Sequence, residues 1–278
     1  RNSFSRAIKR LTKDYTRPED CEALYLEGLT LKALGLYDEA VDTLYRATWD
    51  QAWHAAAYLE LARISCIRGD LQRALNEINE SLATNARNNS AMALKAGILR
   101  KLGRPEEALA VISSLAKTDP LDFRTGNELY LIAKAAGKQS DSDRLLNELN
   151  RKMRDFDQNY LELAVGYMND GMTDEAEEIF KRFAGRNQMI SYYLGYLNDM
   201  KNSRNEAEKY FRDGSSQSVD YGFPYRLETE KVLQKASEYM PGDAKPHYYL
   251  GNLLYDKQPV RAIKCWEKAV ELDPSLAI

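Results

Sequence analysis

Five glycines recur at a constant spacing of 34 residues, and this period restricts the chain to a small set of folds. They are Gly35, Gly69, Gly103, Gly137 and Gly171. A small residue follows each glycine five positions later, and a large apolar residue lies four positions beyond it. Self-similarity at a fixed period of this length indicates one supersecondary unit repeated along the chain.

Each period contains two segments with apolar residues at helical spacing, joined by the glycine. In the first unit, Gly28 and Ala40 are small residues that allow two helices to approach closely. Gly35 follows the first segment, where the residue after a helix C-terminus commonly adopts positive φ. Strand-like alternation of apolar and polar residues is scarce. The sequence therefore predicts helix–turn–helix units and an all-α fold.

A helix–turn–helix unit with this period resembles the tetratricopeptide repeat. The resemblance implies a right-handed superhelical solenoid with a concave groove lined by the first helix of each repeat. We expect a truncated second helix of a preceding repeat at 1–20, in which Pro18 follows the helix. Six repeats are predicted over 21–214, an irregular insertion with one helix at 215–243, and a final repeat at 244–278.

A second resemblance rests on the 215–243 insertion and on the stretch TDPLDFRTGNELYLI. Both are similar to the C-terminal repeat arrays of bacterial proteins whose N-terminal part is a β-rich domain similar to sugar mutarotases. The resemblance implies a glycan-related context but no activity that carries over. The sequence opens at Arg1 in mid-pattern, so we expect a piece of a longer protein, and the compartment stays undetermined.

Composition and motifs exclude several classes of function. The chain has 39 Lys plus Arg against 42 Asp plus Glu, which disfavours a general nucleic-acid binder. No apolar stretch approaches the roughly 20 residues of a membrane span. Cys21, Cys66 and Cys265 form no C-x-x-C pair, so we expect ordinary buried thiols and no metal site. Nucleotide-binding, hydrolase and zinc-protease motifs are missing, which favours a chain that is not an enzyme and needs no cofactor.

The expected function is a scaffold that binds a protein or peptide partner in its concave groove without catalysis. One alternative is a structural or oligomerising arm of a larger, carbohydrate-related enzyme or glycan-binding protein whose active part is not in this chain. A weaker alternative is direct glycan binding by aromatic residues near the C-terminal end.

The repeat frame predicts which side chains of the first helices face the groove. Basic residues in the middle favour an acidic peptide or another anionic group, and the C-terminal part is rich in tyrosine. Alternatively, the tyrosines pack between successive first helices, and the basic patch has no binding role. The candidates are Tyr25, Arg63, Arg100, Lys101, Asn127, Lys134, Met168, Tyr192, Tyr196, Tyr248, Asn252 and Tyr255.

The insertion contains the stretch YGFPYR, for which two interpretations stay open. In the first, the insertion packs one further helix into the stack. In the second, Tyr221, Phe223 and Tyr225 form a projecting aromatic loop that contacts a partner.

Overall fold

The computed structural model describes residues 2–11 and 20–276, which form sixteen helices and, within these ranges, no strand. The rest of the predicted N-terminal segment, 12–19 with Pro18, lies outside the described residues. The helices are α1 Asn2–Leu11, α2 Glu22–Ala33, α3 Tyr37–Ala47, α4 Gln51–Ile67, α5 Leu71–Thr84, α6 Asn89–Lys101, α7 Pro105–Thr118, α8 Phe123–Ala135, α9 Gln139–Met153, α10 Asp157–Asn169, α11 Thr173–Arg182, α12 Gln188–Met200, α13 Arg204–Ser216, α14 Glu228–Tyr239, α15 Ala244–Leu254 and α16 Pro259–Leu272.

The periodic glycines terminate the first helix of five successive pairs. All five have positive φ, between 69° and 77°, as the sequence predicts. At the first of them, the Gly35 amide donates to the carbonyl of Lys32 and the Leu36 amide donates to the carbonyl of Leu31. This pair of hydrogen bonds is the Schellman motif, which satisfies the last carbonyls of the helix.

Small residues let the two helices of a pair approach closely. A Cβ atom added at Gly28 of α2 would lie 2.6 Å from the Leu44 side chain of α3. A Cβ atom at Gly195 of α12 would lie equally close to the ring of Phe211 in α13. The large apolar residue of the second helix therefore fills the space that glycine leaves in the first.

The chain divides into two compact units. The N-terminal unit contains Arg1–Arg154 together with Val165–Met172. The C-terminal unit contains Asp155–Ala164 and Thr173–Ile278. The end of α10 and the turn that follows it therefore pack with the earlier repeats, while the beginning of α10 packs with the later ones.

The insertion contributes one helix to the C-terminal unit. Helix α14 has 12 residues, somewhat fewer than the roughly fifteen that the sequence suggests. It packs against both α12 and α15, with Val232, Leu233 and Ala236 buried. The residues between α13 and α14, from 217 to 227, form no helix.

Candidate partner-binding surfaces

Charged side chains from the first helices of the N-terminal unit meet in one network. In α2, the ammonium group of Lys32 lies 2.7 Å from Oε2 of Glu60 in α4. Arg63, one turn further along α4, pairs with the other oxygen of the same carboxylate. Burial alone would raise the pKa of Glu60, but Lys32 and Arg63 outweigh it and hold this pKa below its ordinary value.

Asp170, in the turn after α10, lies between two arginines. Its Oδ1 lies 3.0 Å from Nε of Arg63 in α4. Its Oδ2 lies 3.0 Å from Nη2 of Arg124 in α8. The ion pair between Arg63 and Asp170 thus joins residues that are 107 positions apart in the sequence.

The third part of the network lies between α6 and α8. Nε of Arg100 donates to Oε2 of Glu128 at 3.0 Å, and Glu128 is fully buried. The other oxygen of Glu128 lies 3.8 Å from Nε of Arg124. We call the seven residues the first-helix charge network; they are Lys32, Glu60, Arg63, Arg100, Arg124, Glu128 and Asp170.

A buried tyrosine forms the floor beneath this network. The guanidinium of Arg124 lies 3.5 Å from the ring centroid of Tyr167, close enough for a cation–π interaction. The side-chain amide of Asn127 donates to the Tyr167 hydroxyl at 2.8 Å. Burial raises the pKa of Tyr167 well above its ordinary value, so this hydroxyl stays protonated.

Glycines allow the end of α10 and the turn after it, residues 165–172, to lie against α4 and α6. A Cβ atom at Gly171 would lie 2.7 Å from the backbone of Ile67, at the end of α4. A Cβ atom at Gly97 in α6 would lie 2.9 Å from the terminal methyl of Met172. The turn after α10 therefore contacts α4 and α6 directly, and side chains at these two positions would obstruct it.

The structure differs here from the expected open basic patch. Arg63 and Arg100 are half-buried and ion-paired within the chain, and Asn127 is buried against Tyr167. Lys101 and Lys134, at the ends of α6 and α8, are exposed. The patch is largely neutralised because three carboxylates, absent from the predicted set, lie among its cations.

The sequence offers a partial signal for those carboxylates. Glu60 and Glu128 lie two periods of 34 residues apart, so they occupy the same position of the repeat. Asn127, a predicted groove residue, directly precedes Glu128. A carboxylate recurring there among basic neighbours could have suggested internal pairing. Asp170 gives no such signal, because its partners lie three repeats and one repeat earlier.

The predicted tyrosines divide between packed and accessible positions. Tyr192 is fully buried and meets Tyr249 edge-on, with 6.1 Å between ring centroids, so it packs between helices rather than facing an open groove. Tyr25 stacks on Trp53 at 4.9 Å. Tyr255 is exposed. Met168, Tyr196, Tyr248 and Asn252 are half-buried, and Asn252 accepts a hydrogen bond from Trp266.

The segment between α13 and α14 exposes large apolar side chains. Tyr221 is 91% exposed and Phe223 72% exposed. Tyr225 is 52% exposed, and its hydroxyl contacts Glu162 and Gln158 in α10. Leu227, which is not among the predicted contact residues, is 83% exposed. We call residues 221–227 the aromatic segment.

Comparison with known proteins agrees with the repeat geometry. Residues 59–123 match the family model of the tetratricopeptide repeat, across helices α4 to α8. Residues 59–123 therefore belong to the tetratricopeptide repeat family.

Solved structures of other proteins resemble this chain. A tetratricopeptide repeat protein from Parabacteroides merdae is 16% identical with a TM-score of 0.54, covering 86% of this chain and 90% of that one. MamA from Desulfovibrio magneticus is 14% identical with a TM-score of 0.46, covering 68% and 99%. PilF from Pseudomonas aeruginosa is 20% identical with a TM-score of 0.46, covering 81% and 97%. The first of these structures agrees with the all-helical repeat fold described above.

Across 2–11 and 20–276, no three His, Cys, Asp or Glu side chains are grouped so as to hold a metal ion. None of the helices in these ranges is long and apolar enough to cross a membrane. The three cysteines are free, with Cys21 and Cys66 buried and Cys265 half-buried, as the sequence predicts.

Proposed function

We propose that this protein is a non-catalytic scaffold that binds an acidic segment of a protein or peptide partner along the first helices of its N-terminal unit. The observation that carries the proposal is the positive excess of the first-helix charge network. Four cations in it face three carboxylates. Lys101 and Lys134 add two exposed cations at the ends of α6 and α8.

The geometry favours a partner at the accessible margin of the network. Arg63 and Arg100 are held in place by Glu60, Asp170 and Glu128, so a partner binds without ordering them. Exposed lysines add attraction for carboxylates that is screened by salt. Binding is therefore expected to tighten at low ionic strength and to require acidic residues in the partner.

The test uses fluorescence anisotropy with a fluorescein-labelled, glutamate-rich peptide of about 12 residues as the probe. The variant Lys101→Glu/Lys134→Glu reverses the charges of two exposed side chains at the ends of α6 and α8. We expect it to weaken binding by about tenfold or more, which corresponds to about 1.4 kcal/mol. Arg100 and Tyr192 are left unchanged, because their burial would turn a binding test into a folding test.

The matched control reverses two exposed lysines on second helices of the C-terminal unit, Lys209→Glu/Lys264→Glu. It has the same net charge as the test variant and is expected to bind the probe like wild type. If both variants lost the same affinity for the peptide, net charge alone would explain the effect and the proposed site would be wrong. If wild type did not bind the peptide, the proposal would be contradicted.

A second candidate function, a structural or oligomerising arm, is favoured by one observation. Helix α16 exposes Val260, Ile263 and Val270, large apolar residues near one side of the helix. We propose that such a stripe would serve assembly, and light scattering after size-exclusion chromatography tests it. A concentration-dependent dimer that Val260→Ser/Ile263→Ser abolishes would support this candidate, whereas a monomer at all concentrations would count against it.

A further inference from the structure

The central part of the aromatic segment, residues 222–225, lies in neither helix nor turn and alternates in exposure. Phe223 and Tyr225 are exposed, whereas Gly222 and Pro224 are buried. Successive side chains of an extended chain point to opposite faces, so this alternation fits extended backbone. Pro224 reinforces it, because proline fixes its own φ and disfavours a helical conformation for Phe223. Tyr221, which has positive φ, and Leu227, which has helical φ and ψ at the start of α14, expose their side chains at the two ends of this stretch.

Buried residues anchor the inner side of the segment. Gly222 packs so closely on Gln188 and Tyr249 that an added Cβ atom would lie 2.9 Å from Cε1 of Tyr249. The Gly222 amide donates to the carbonyl of Val219 at 3.2 Å. The N-terminal half of the segment is therefore held against α12 and α15.

Polar contacts anchor the C-terminal half. The Tyr225 hydroxyl donates to Glu162 of α10, and Arg226 forms an ion pair with the same carboxylate. Arg226 also lies 3.6 Å from Glu228 at the start of α14. With both halves fixed, the exposed side chains are presented by a backbone that is already ordered, which reduces the entropic cost of binding.

The outer edge of the backbone is available for pairing. Within the described part of the chain, the peptide groups of Phe223 and Tyr225 make no backbone hydrogen bond. In extended chain, alternate residues direct their N–H and C=O groups to the same edge. Pro224 has no N–H, but it would face the opposite edge. Phe223 and Tyr225 thus offer the hydrogen-bonding groups of a short, unpaired strand.

The backbone conformation of Tyr221 also indicates a site that contacts a partner. Its φ of 59° lies in the left-handed region, which costs a non-glycine residue about 1–2 kcal/mol. The ring is exposed, so burial of this side chain does not offset the cost. Residues held in such conformations cluster at ligand-contacting sites.

The charges beside the segment are mainly negative. Asp220 precedes it and is exposed, Glu162 is partly exposed, and Glu228 follows it. Arg226 is the one cation among these contacts in the described residues, and it is already paired. Such surroundings attract Lys and Arg and repel an anionic lipid surface.

We propose that the aromatic segment is a docking strand for an extended peptide segment whose alternating apolar residues are flanked by Lys or Arg. The partner's backbone pairs with Phe223 and Tyr225, and its apolar side chains pack on Tyr221, Phe223 and Leu227. This surface lies in the C-terminal unit and selects basic flanks, so it is independent of the acidic-segment site proposed above.

The first test pans a display library of random peptides of about 12 residues on the immobilised full chain. Peptides that bind the variant Tyr221→Ser/Phe223→Ser/Leu227→Ser are removed first. We expect alternating apolar residues between Lys or Arg in the enriched peptides. The consensus peptide is then titrated by calorimetry, and the triple variant should weaken its binding at least tenfold. The control Leu34→Ser/Leu121→Ser/Met200→Ser removes exposed apolar residues elsewhere and should bind like wild type.

The second test separates backbone pairing from simple apolar contact. The consensus peptide is N-methylated at alternate amides, once on each of its two edges. One methylated series should lose at least tenfold in affinity and the other should bind as before, because a docked strand pairs through a single edge. Equal affinity of both series would overturn the docking strand.

Three further results would also overturn the proposal. They are enrichment of acidic peptides or of no peptide at all, cosedimentation with phosphatidylserine-containing vesicles that the triple variant loses, and a dimer that the same variant dissociates. The second would assign the segment to a membrane and the third to a second copy of the chain. Circular dichroism melting curves of all variants must match wild type, and the three substituted residues are exposed, so we expect that they do.

Discussion

Nη2 of Arg124 lies 3.0 Å from Oδ2 of Asp170, and the other oxygen of that carboxylate contacts Arg63. One aspartate in a turn therefore joins α4 to α8. Its loss leaves two largely buried guanidinium groups without their shared counter-charge, a more costly change than the loss of an exposed ion pair.

Replacement of Asp170 by asparagine should destabilise the protein by about 3 kcal/mol in urea unfolding. Asp38→Asn is the matched control, because its ion pair with Arg68 is exposed and should contribute less than about 1 kcal/mol. Similar losses from the two substitutions would show that burial of the Asp170 pair does not matter.

Stability should fall in acid, in part through Glu60. Its pKa is lowered in the folded protein, because Lys32 and Arg63 outweigh the effect of burial. This contribution is fully present above the ordinary pKa of 4.5 and is lost as the pH falls through the lower folded value. Glu60→Gln should flatten the dependence of the free energy of unfolding on pH in this range. An unchanged slope would show that Glu60 does not contribute to it.

Gly171 and Gly69 allow backbone strain to be separated from packing. Both have positive φ, but a Cβ atom at Gly69 meets nothing within 4 Å, whereas one at Gly171 meets the backbone of Ile67. Gly69→Ala should cost about 1 kcal/mol through its φ alone. Gly171→Ala should cost clearly more in the same chemical denaturation. Equal costs would contradict the close approach of the turn to α4.

The thiols should differ in reactivity toward Ellman's reagent. Burial, with smaller contributions from Asp170 and Glu77, raises the pKa of Cys66 to about 12, so thiolate is scarce at neutral pH. Cys265 is half-buried and should react first. Cys66→Ser should leave the early phase of the reaction unchanged, and Cys265→Ser should remove it. An early phase that survives Cys265→Ser would contradict this order.

The sequence predicts local geometry well because local chemistry decides it. Gly35 and its periodic equivalents have positive φ because no other residue adopts it as easily, and Gly28 is small because Leu44 needs the space. Both constraints lie within a single repeat. Each can therefore be deduced from the periodic pattern.

The candidate surfaces were harder to predict, because they depend on contacts between distant repeats. A repeat frame assigns Arg63 to a groove but cannot show that Asp170 reaches it. Tyr192 occupies a predicted groove position, yet Tyr249 covers it. Leu227 lies outside the YGFPYR stretch, and its exposure depends on how α14 begins.

The ion pair between Arg63 and Asp170 also has a consequence for how the chain unfolds. Repeat arrays usually lose structure from their ends, because each repeat contacts its neighbours alone. Here α4 is coupled to the turn after α10, so the helix pairs between them cannot fray independently without breaking that ion pair. Amide hydrogen exchange in α4, α6 and α8 should therefore be governed by one shared opening event. A fragment that ends at 154 would lose this cooperativity, although it keeps four complete helix pairs.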